Sequence, residues 1–257
     1  MVDHHKEENE AYLRNLESEL HNNNEEYTLE YPLCIPTMNN RKPSVLDNLD
    51  QFGQTNIHLF IYDWQKELYE WLSRTNITKH YVPKEYLTAQ KMRLYMQEFM
   101  GEQIYLQLDD DAKGIKIYNE KKPVTLALAM RMAEKIAKEK FDNEEAGSFA
   151  IPTSEITCKW WNGDLMNVGM TGGIMLTNGK LLAKRNIRYT GNIDIPEDVE
   201  FFMDASIAGI DFYLFRWCYI EWLIKYGGKG SVASDAMKRR TFNMSLYKKY
   251  GSIVKFK

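Results

Sequence analysis

The sequence predicts an α+β fold, predominantly α-helical, with β-hairpin insertions and extended terminal arms. Three observations predict it. Residues 56–74 and 124–141 carry apolar side chains at helical spacing, and residues 207–224 (IAGIDFYLFRWCYIEWLI) are apolar nearly all round, as a helix enclosed by protein would be. Residues 104–118 and 156–190 instead alternate in polarity or are broken by Asn-Gly pairs, the mark of hairpins. The two ends, 1–30 and 227–257, are strongly charged and of opposite sign.

Taken in chain order, residues 1–55 read as an acidic N-terminal arm. Leu13, Leu16 and Leu20 support a short amphipathic helix over 10–21, and Pro32, Pro36 and Pro43 make 31–56 an extended segment lying over the body. The body, 56–226, opens with NIHLFIYDWQKELYEWLSR, where Ile57, Phe60, Ile61, Trp64, Leu68, Trp71 and Leu72 share a helix face behind an Asn56 cap. Pro83 starts a second helix over 83–100, lined by Leu87, Met92, Met96 and Phe99. The stretch IYLQLDDDAKGIKIY (104–118) reads as a hairpin around a DDDAKG loop. The 124–141 helix follows. Asn162-Gly163 and Asn178-Gly179 then mark a β-rich insertion over about 156–190, with 174–183 as its surest hairpin. Pro196 opens a long helix, 196–226, which contains the aromatic segment and stops at Gly227, Gly228 and Gly230. A basic unit, 227–257, ends the chain with a helix near 235–249.

Composition narrows the class. The chain has 257 residues, 44% hydrophobic and 27% charged, which suits a globular body with a full core. A formal net charge of −3 argues against a generally cationic nucleic-acid binder, and an aromatic fraction of 13% suits aromatic-rich core or interface surface. Cys34, Cys158 and Cys218 are sparse and far apart, which fits a reducing compartment. The N-terminus lacks the apolar stretch of a secretory signal. The 207–224 segment approaches the length of a membrane span, but Asp211, Arg216 and Glu221 would each cost roughly 2.5–3.5 kcal/mol to insert, so no membrane partner is expected.

Motifs for chemistry fail on inspection. Asp109, Asp111, Gly114 and Glu120 occupy positions one, three, six and twelve of a calcium loop, but Lys113 replaces a ligand and the flanks alternate like strands. The loop therefore reads as a solvated hairpin tip. KYGGKGS (225–231) lacks the spacing of a phosphate loop and follows a helix, and Gly169, Gly172 and Gly173 do not make a dinucleotide fingerprint. His4, His5, His21, His58 and His80 have no metal spacing, and Cys218 reads as a small buried hydrophobe. No catalytic residue, metal or cofactor is implied, leaving only an active site assembled from distant residues as the enzymatic reading.

Charge points to interactions instead. From residue 227 on, Lys229, Lys238, Arg239, Arg240, Lys248, Lys249, Lys255 and Lys257 face Asp235 alone. Three readings fit these ends: solvated termini, docking on partner surfaces such as neighbouring copies, or contact with nucleic-acid phosphate. In the aromatic segment Asp211, Arg216 and Glu221 are five apart and do not pair on one helix face. Each needs a partner in another segment or another subunit, with Trp217 and Trp222 as neighbouring interaction residues.

Helical body, turn-rich insertion, long aromatic helix, oppositely charged ends and no catalytic motif together give a chain that resembles tailed-phage virion structural proteins, in particular head-to-tail connector and tail-ring proteins. The resemblance implies a non-enzymatic homo-oligomeric ring located in the virion, and in host cytoplasm during assembly. Its partners would be copies of itself and portal or tail proteins, with DNA in proximity. The alternative is a nucleic-acid-binding accessory protein that uses the basic end.

Overall fold

The structure is a computed structural model, and it describes residues 27–37, 45–117, 123–142, 146–153, 165–167, 174–192, 197–215, 217–222 and 236–251. Its centre is a mixed sheet of eight strands: β1 (Leu33–Thr37), β2 (Ile57–Tyr62), β3 (Ile77–Val82), β4 (Ile104–Leu108), β7 (Ala146–Ile151), β8 (Leu165–Asn167), β9 (Ile174–Asn178) and β10 (Asp211–Phe215), in the order β3-β2-β1-β4-β9-β7-β10-β8. A second sheet of three strands joins β5 (Ala112–Ile117), β6 (Pro123–Val124) and β11 (Cys218–Trp222) in the order β11-β5-β6. The helices are α1 (Ala89–Met100), α2 (Leu126–Asp142), α3 (Gly179–Lys184), α4 (Glu197–Ile207) and α5 (Ala236–Tyr250), with 3-10 segments at Leu46–Phe52, Asp63–Tyr69 and Lys84–Tyr86. The expected predominantly helical α+β fold is therefore corrected to an α/β, Rossmann-like architecture.

The reason lies in strands buried on both faces. LCIPT is buried at every position, because β1 sits between β2 and β4 in the middle of the sheet. A strand of this kind shows no alternation, and so residues 33–37 read as an arm. IHLFIY is likewise buried along nearly its whole length, and it runs into the 3-10 segment Asp63–Tyr69, so strand plus turn mimic one helical period. The 196–226 helix resolves into α4, β10 and β11. Gly209, at φ 73, takes the left-handed conformation that ends α4, and the Ile210 amide donates back to the Ala205 carbonyl at 3.0 Å. The expected hairpin at 104–118 also divides: β4 pairs with β1 and β9, whereas β5 pairs with β11 and β6.

Two layers of helix cover the sheet. On one face Leu33, Ile35, Leu59, Ile61, Leu106 and Phe149 pack against Ala129, Met130, Ala133 and Phe141 of α2 and the 3-10 residues Leu46, Leu49 and Phe52. On the other, Cys34, Phe60, Tyr62 and Tyr105 meet Met92, Met96 and Met100 of α1, while Met175, Ala150, Phe212 and Leu214 meet Leu181, Leu182, Phe201, Phe202 and Ala205 of α3 and α4. Burying each Leu, Ile, Phe or Met among them is worth about 1.5–3 kcal/mol. Among the described residues no helix is long and apolar enough to cross a membrane.

Asn178-Gly179 is not a hairpin turn. Asn178 caps α3, its Oδ1 accepting the Leu181 amide at 3.1 Å, and Gly179 lies so close to β4 that a Cβ would collide with the carbonyl oxygens of Gly101 and Gln103. Those atoms are backbone and cannot yield. Gly179→Ala is expected to cost about 3 kcal/mol of stability, read as a lower denaturant midpoint with an unchanged slope. An unchanged midpoint would contradict this close approach.

Candidate functional site

Strand order locates the site. β1, β2 and β3 run parallel and step in one direction across the sheet, while β4 lies parallel on the other side of β1. The chain thus reverses its winding between β1 and β4. In open α/β sheets the crevice beyond the carboxyl ends of the strands at such a reversal is where ligands bind. A cleft of about 160 Å³ opens there, lined by Pro36 from β1, Asp109, Asp110 and Asp111 following β4, and Ala89, Met92 and Arg93 from the first turns of α1.

Its electrostatics are two-sided. Asp109–Asp111 present three consecutive carboxylates, with Asp110 only 7% exposed. Opposite them α1 begins. Thr88 caps it by accepting the Lys91 amide at 3.3 Å, and the helix presents its positive end to the cleft. Arg93 Nη2 donates to both oxygens of Asp109, at 3.2 and 3.3 Å, with side chains 13% and 23% exposed. At that burial the pair is little screened, and the guanidinium fixes the carboxylate in place. One wall thus suits an anion such as a phosphate, and the other suits a cation.

The neighbouring strand adds a flat aromatic surface. Tyr62, at the end of β2, packs in one cluster with Met92, and Trp64 stacks on it with ring centroids 4.5 Å apart and planes 12° from parallel. The Trp64 indole is 42% exposed, beside the exposed Asp63. Burial pushes the Tyr62 phenol up to about 12, so it stays protonated. It also pushes up the Cys34 thiol, which is enclosed in β1, so that this cysteine is no nucleophile. His58 and His80 lie away from the cleft, hydrogen-bonded to each other at 2.9 Å and against Phe99 near the far end of α1. Burial holds both below the usual histidine range.

Two residues before Asp109, Gln107 is fully buried, and among the described residues its amide oxygen and nitrogen have no hydrogen-bond partner. An unpaired buried amide is costly. Gln107→Met, close in volume, is expected to raise stability by about 1–2 kcal/mol, measured by denaturant unfolding. A loss of stability would show that the amide is satisfied.

The interaction residues expected from sequence fall elsewhere. Glu221, on β11, pairs with Lys116 and Lys113 of β5 at 3.1 and 3.3 Å, and these two ammonium groups hold its carboxyl below the usual range. Trp222 donates through Nε1 to the Thr153 carbonyl at 3.1 Å, and Trp217 packs against Leu128 and Met132. Asp211 opens β10 and accepts from the Tyr213 hydroxyl at 3.5 Å. Arg216 lies outside the described residues. Lys238, Arg239 and Arg240 belong to the first turns of α5, with side chains outside the described residues, while Lys248 is exposed near its end. Lys249 pairs with Glu200 and Asp204 of α4, each at 2.9 Å. Among the described side chains, none of these lines the cleft.

Comparisons with known proteins add the following. No protein-family model matches the chain, and no curated protein does. Among solved structures, residues 1–349 of S. aureus TarS in complex with UDP-GlcNAc match with a TM-score of 0.51 at 14% identity, over 85% of this chain and 67% of that one. A second structure of the same TarS segment gives a TM-score of 0.49 at 13% identity, over 89% of this chain and 76% of that one. A longer TarS structure is covered only to 40% of its length, with a TM-score of 0.45 at 15% identity. The first of these likenesses shows the fold alone: an α/β fold like that of the TarS segment.

This corrects the reading of a non-enzymatic virion connector or tail ring, and with it the portal and tail partners and the nucleic-acid alternative. Among the described residues the long aromatic helix that entered the resemblance to connectors is replaced by α4, β10 and β11, and the fold they belong to is like that of the TarS segment. The site itself, Asp109–Asp111 with Arg93, was missed. One sequence signal was available: three aspartates directly after the strand-like IYLQL, at a strand's carboxyl end.

Proposed function

We propose that this chain is a nucleotide-sugar-using enzyme, a glycosyltransferase with a GT-A-like fold. One observation carries the reading: at the sheet's topological reversal three consecutive aspartates line one crevice together with the first turns of α1, and Arg93 of that helix is paired with Asp109. A nucleoside diphosphate sugar is an anion that commonly travels with a divalent cation, and this cleft has one wall for each. The UDP-GlcNAc complex of TarS, a protein of like fold, supports the substrate class.

The residues fit a cation that shares its shell with substrate. Among the described residues no set of three His, Cys, Asp or Glu side chains is arranged to hold a metal alone. Mg²⁺-type ions need no such cage; one or two carboxylates plus substrate phosphates suffice. Asp109 and Asp111, hard oxygen donors two residues apart that both line the cleft, would hold it. A divalent cation bound there supplies charge neutralisation for the departing diphosphate.

The remaining roles belong to the chain's own groups. Arg93 keeps Asp109 in register, and the α1 N-terminus lies on the diphosphate side. The exposed Trp64 face, one strand over, offers a surface for the nucleobase to stack, with Asp63 beside it as a hydrogen-bond acceptor. Tyr62 supports the indole from below.

The test is a survey of UDP-, GDP-, ADP- and CDP-linked sugars with Mg²⁺ or Mn²⁺, following release of nucleoside diphosphate and calorimetric binding. At least one donor is expected to bind in the range of roughly 1 μM–1 mM. Failure of every donor to bind at millimolar concentration with either cation would reject the reading.

A further inference from the structure

Residues 187–192 form a strap that crosses α1 beside the cleft. The Tyr189 amide donates to Gln97 Oε1 at 2.8 Å, and Gln97 Nε2 donates to the Ile187 carbonyl at 3.1 Å. Gly191, at φ 70, lies against Lys91 and Leu94, the residues that bracket Met92 and Arg93 of the cleft wall. The strap's outer side is held by α4: Tyr189 stacks on Phe201 with centroids 4.3 Å apart, and the Thr190 hydroxyl donates to Glu200 Oε2.

Glu200 is the pivot. Its side chain is 5% exposed, and its second oxygen, Oε1, accepts from Lys249 Nζ of α5 at 2.9 Å. Lys249 also reaches Asp204, and the Tyr250 hydroxyl donates to Asp204 Oδ1 at 2.9 Å and bonds the Glu200 carbonyl at 3.2 Å. Among the described side chains, the apolar seat of α5 is Leu246 and Tyr250 on Val199 and Met203. Met244 and Tyr247 on the same helix are exposed. The last helix is thus fastened in part by a charged latch onto a carboxylate that also holds the strap.

We propose that α5 is a detachable clasp: its latch on Glu200 keeps the 187–192 strap seated on α1, so docking of the C-terminal helix governs the order of the cleft wall. When Lys249 leaves, Glu200 keeps a buried carboxylate without its cation, which is costly enough to pull the Glu200–Thr190 contact toward water. The strap then loses its outer anchor, and α1 loses the cover next to Arg93. The device is local, since the β1, β2 and β4 core packs without α5. Its consequence for nucleotide binding rests on the function proposed above, while the coupling of clasp to strap does not.

Hydrogen exchange of the full chain tests it, comparing the protein with Lys249→Met and Lys249→Arg. Lys249→Met is expected to speed exchange of both α5 and strap amides by at least about tenfold, leaving β1 and β4 amides unchanged, and Lys249→Arg to restore much of the protection. A double variant, Glu200→Gln with Lys249→Met, removes the uncompensated charge and is expected to exchange more slowly at the strap than Lys249→Met alone. Faster exchange in α5 with an unchanged strap would overturn the proposal, and so would a double variant as fast at the strap as the single one. If UDP binds, its affinity should fall several-fold in Lys249→Met and UDP should slow exchange of α5 in return. An unchanged affinity with a loosened strap would overturn control of the cleft. Absence of binding of UDP, GDP, ADP and CDP alike to the unaltered protein rejects the nucleotide-sugar reading and leaves the exchange comparison to decide the clasp.

Discussion

Asp111→Asn is expected to lower nucleotide-sugar turnover by about 10²-fold or more while leaving the fold intact. Asp111 is partly exposed at the cleft and belongs to neither apolar layer, and asparagine matches it in size, so the substitution leaves the packing of the core in place. What is lost is an acceptor-only oxygen pair where a cation and diphosphate would meet. Asn retains the shape but offers a weaker ligand and no net charge. The fall should appear in kcat/KM with Mg²⁺ and Mn²⁺ alike. Asp109→Asn should be as damaging to turnover but also costs stability, because Arg93, 13% exposed, would keep a charge with a weakened partner. Arg93→Met acts through Asp109 and is expected to reduce turnover by about 10–100-fold, the usual scale for a group that orients a ligand. Equal activity in Asp111→Asn and the unaltered protein would remove the carboxylate cluster from the chemistry.

Phe149→Ala is expected to destabilise the chain by about 3–5 kcal/mol. Phe149 is buried in β7 under α2, edge-on to Phe141 at 5.2 Å and stacked with Tyr213 at 5.1 Å and Phe215 at 5.7 Å. Alternate residues of β10 therefore share its face, while Phe212 and Leu214 point to the opposite layer with Phe201 and Phe202. A double-mutant cycle separates this from a helical arrangement. Phe149 and Phe215 should couple by about 0.5–1.5 kcal/mol, and Phe149 and Phe212 by less than about 0.5 kcal/mol. Equal coupling to both would contradict strand alternation in β10.

Local signals survived where an element has one solvated face. LALAMRMAEKIAKEKFD shows its period because α2 covers the sheet with one side only, and it forms Leu126–Asp142. The 83–100 expectation held in its α-helical part, Ala89–Met100, although Thr88, rather than Pro83, caps that helix. Signals failed where both faces are buried. LCIPT and IHLFIY carry no alternation because helices lie on both sides of them. The run FYLF is continuous because β10 packs Tyr213 and Phe215 into one layer and Phe212 and Leu214 into the other, and periodicity alone cannot separate a buried strand from a buried helix.

The site was hidden one level higher. IYLQL and AKGIKI each alternate, so the aspartates between them read as a hairpin tip. In fact β4 belongs to the large sheet and β5 to the small one, which places those aspartates at the carboxyl end of a central parallel strand. Only pairing between segments distant in sequence, β1 with β4 on one side and β2 on the other, makes that end a crevice. Pairing of that kind leaves no mark in local spacing.

The most direct test is a crystal structure of the chain soaked with UDP-GlcNAc and Mn²⁺, with the anomalous signal used to place the ion. The expected result is a manganese peak at Asp109 or Asp111, with diphosphate density between the end of β1 and the N-terminus of α1. Nucleotide and ion bound away from Asp109–Asp111, or nucleotide bound with these carboxylates untouched, would contradict the assignment of the cleft.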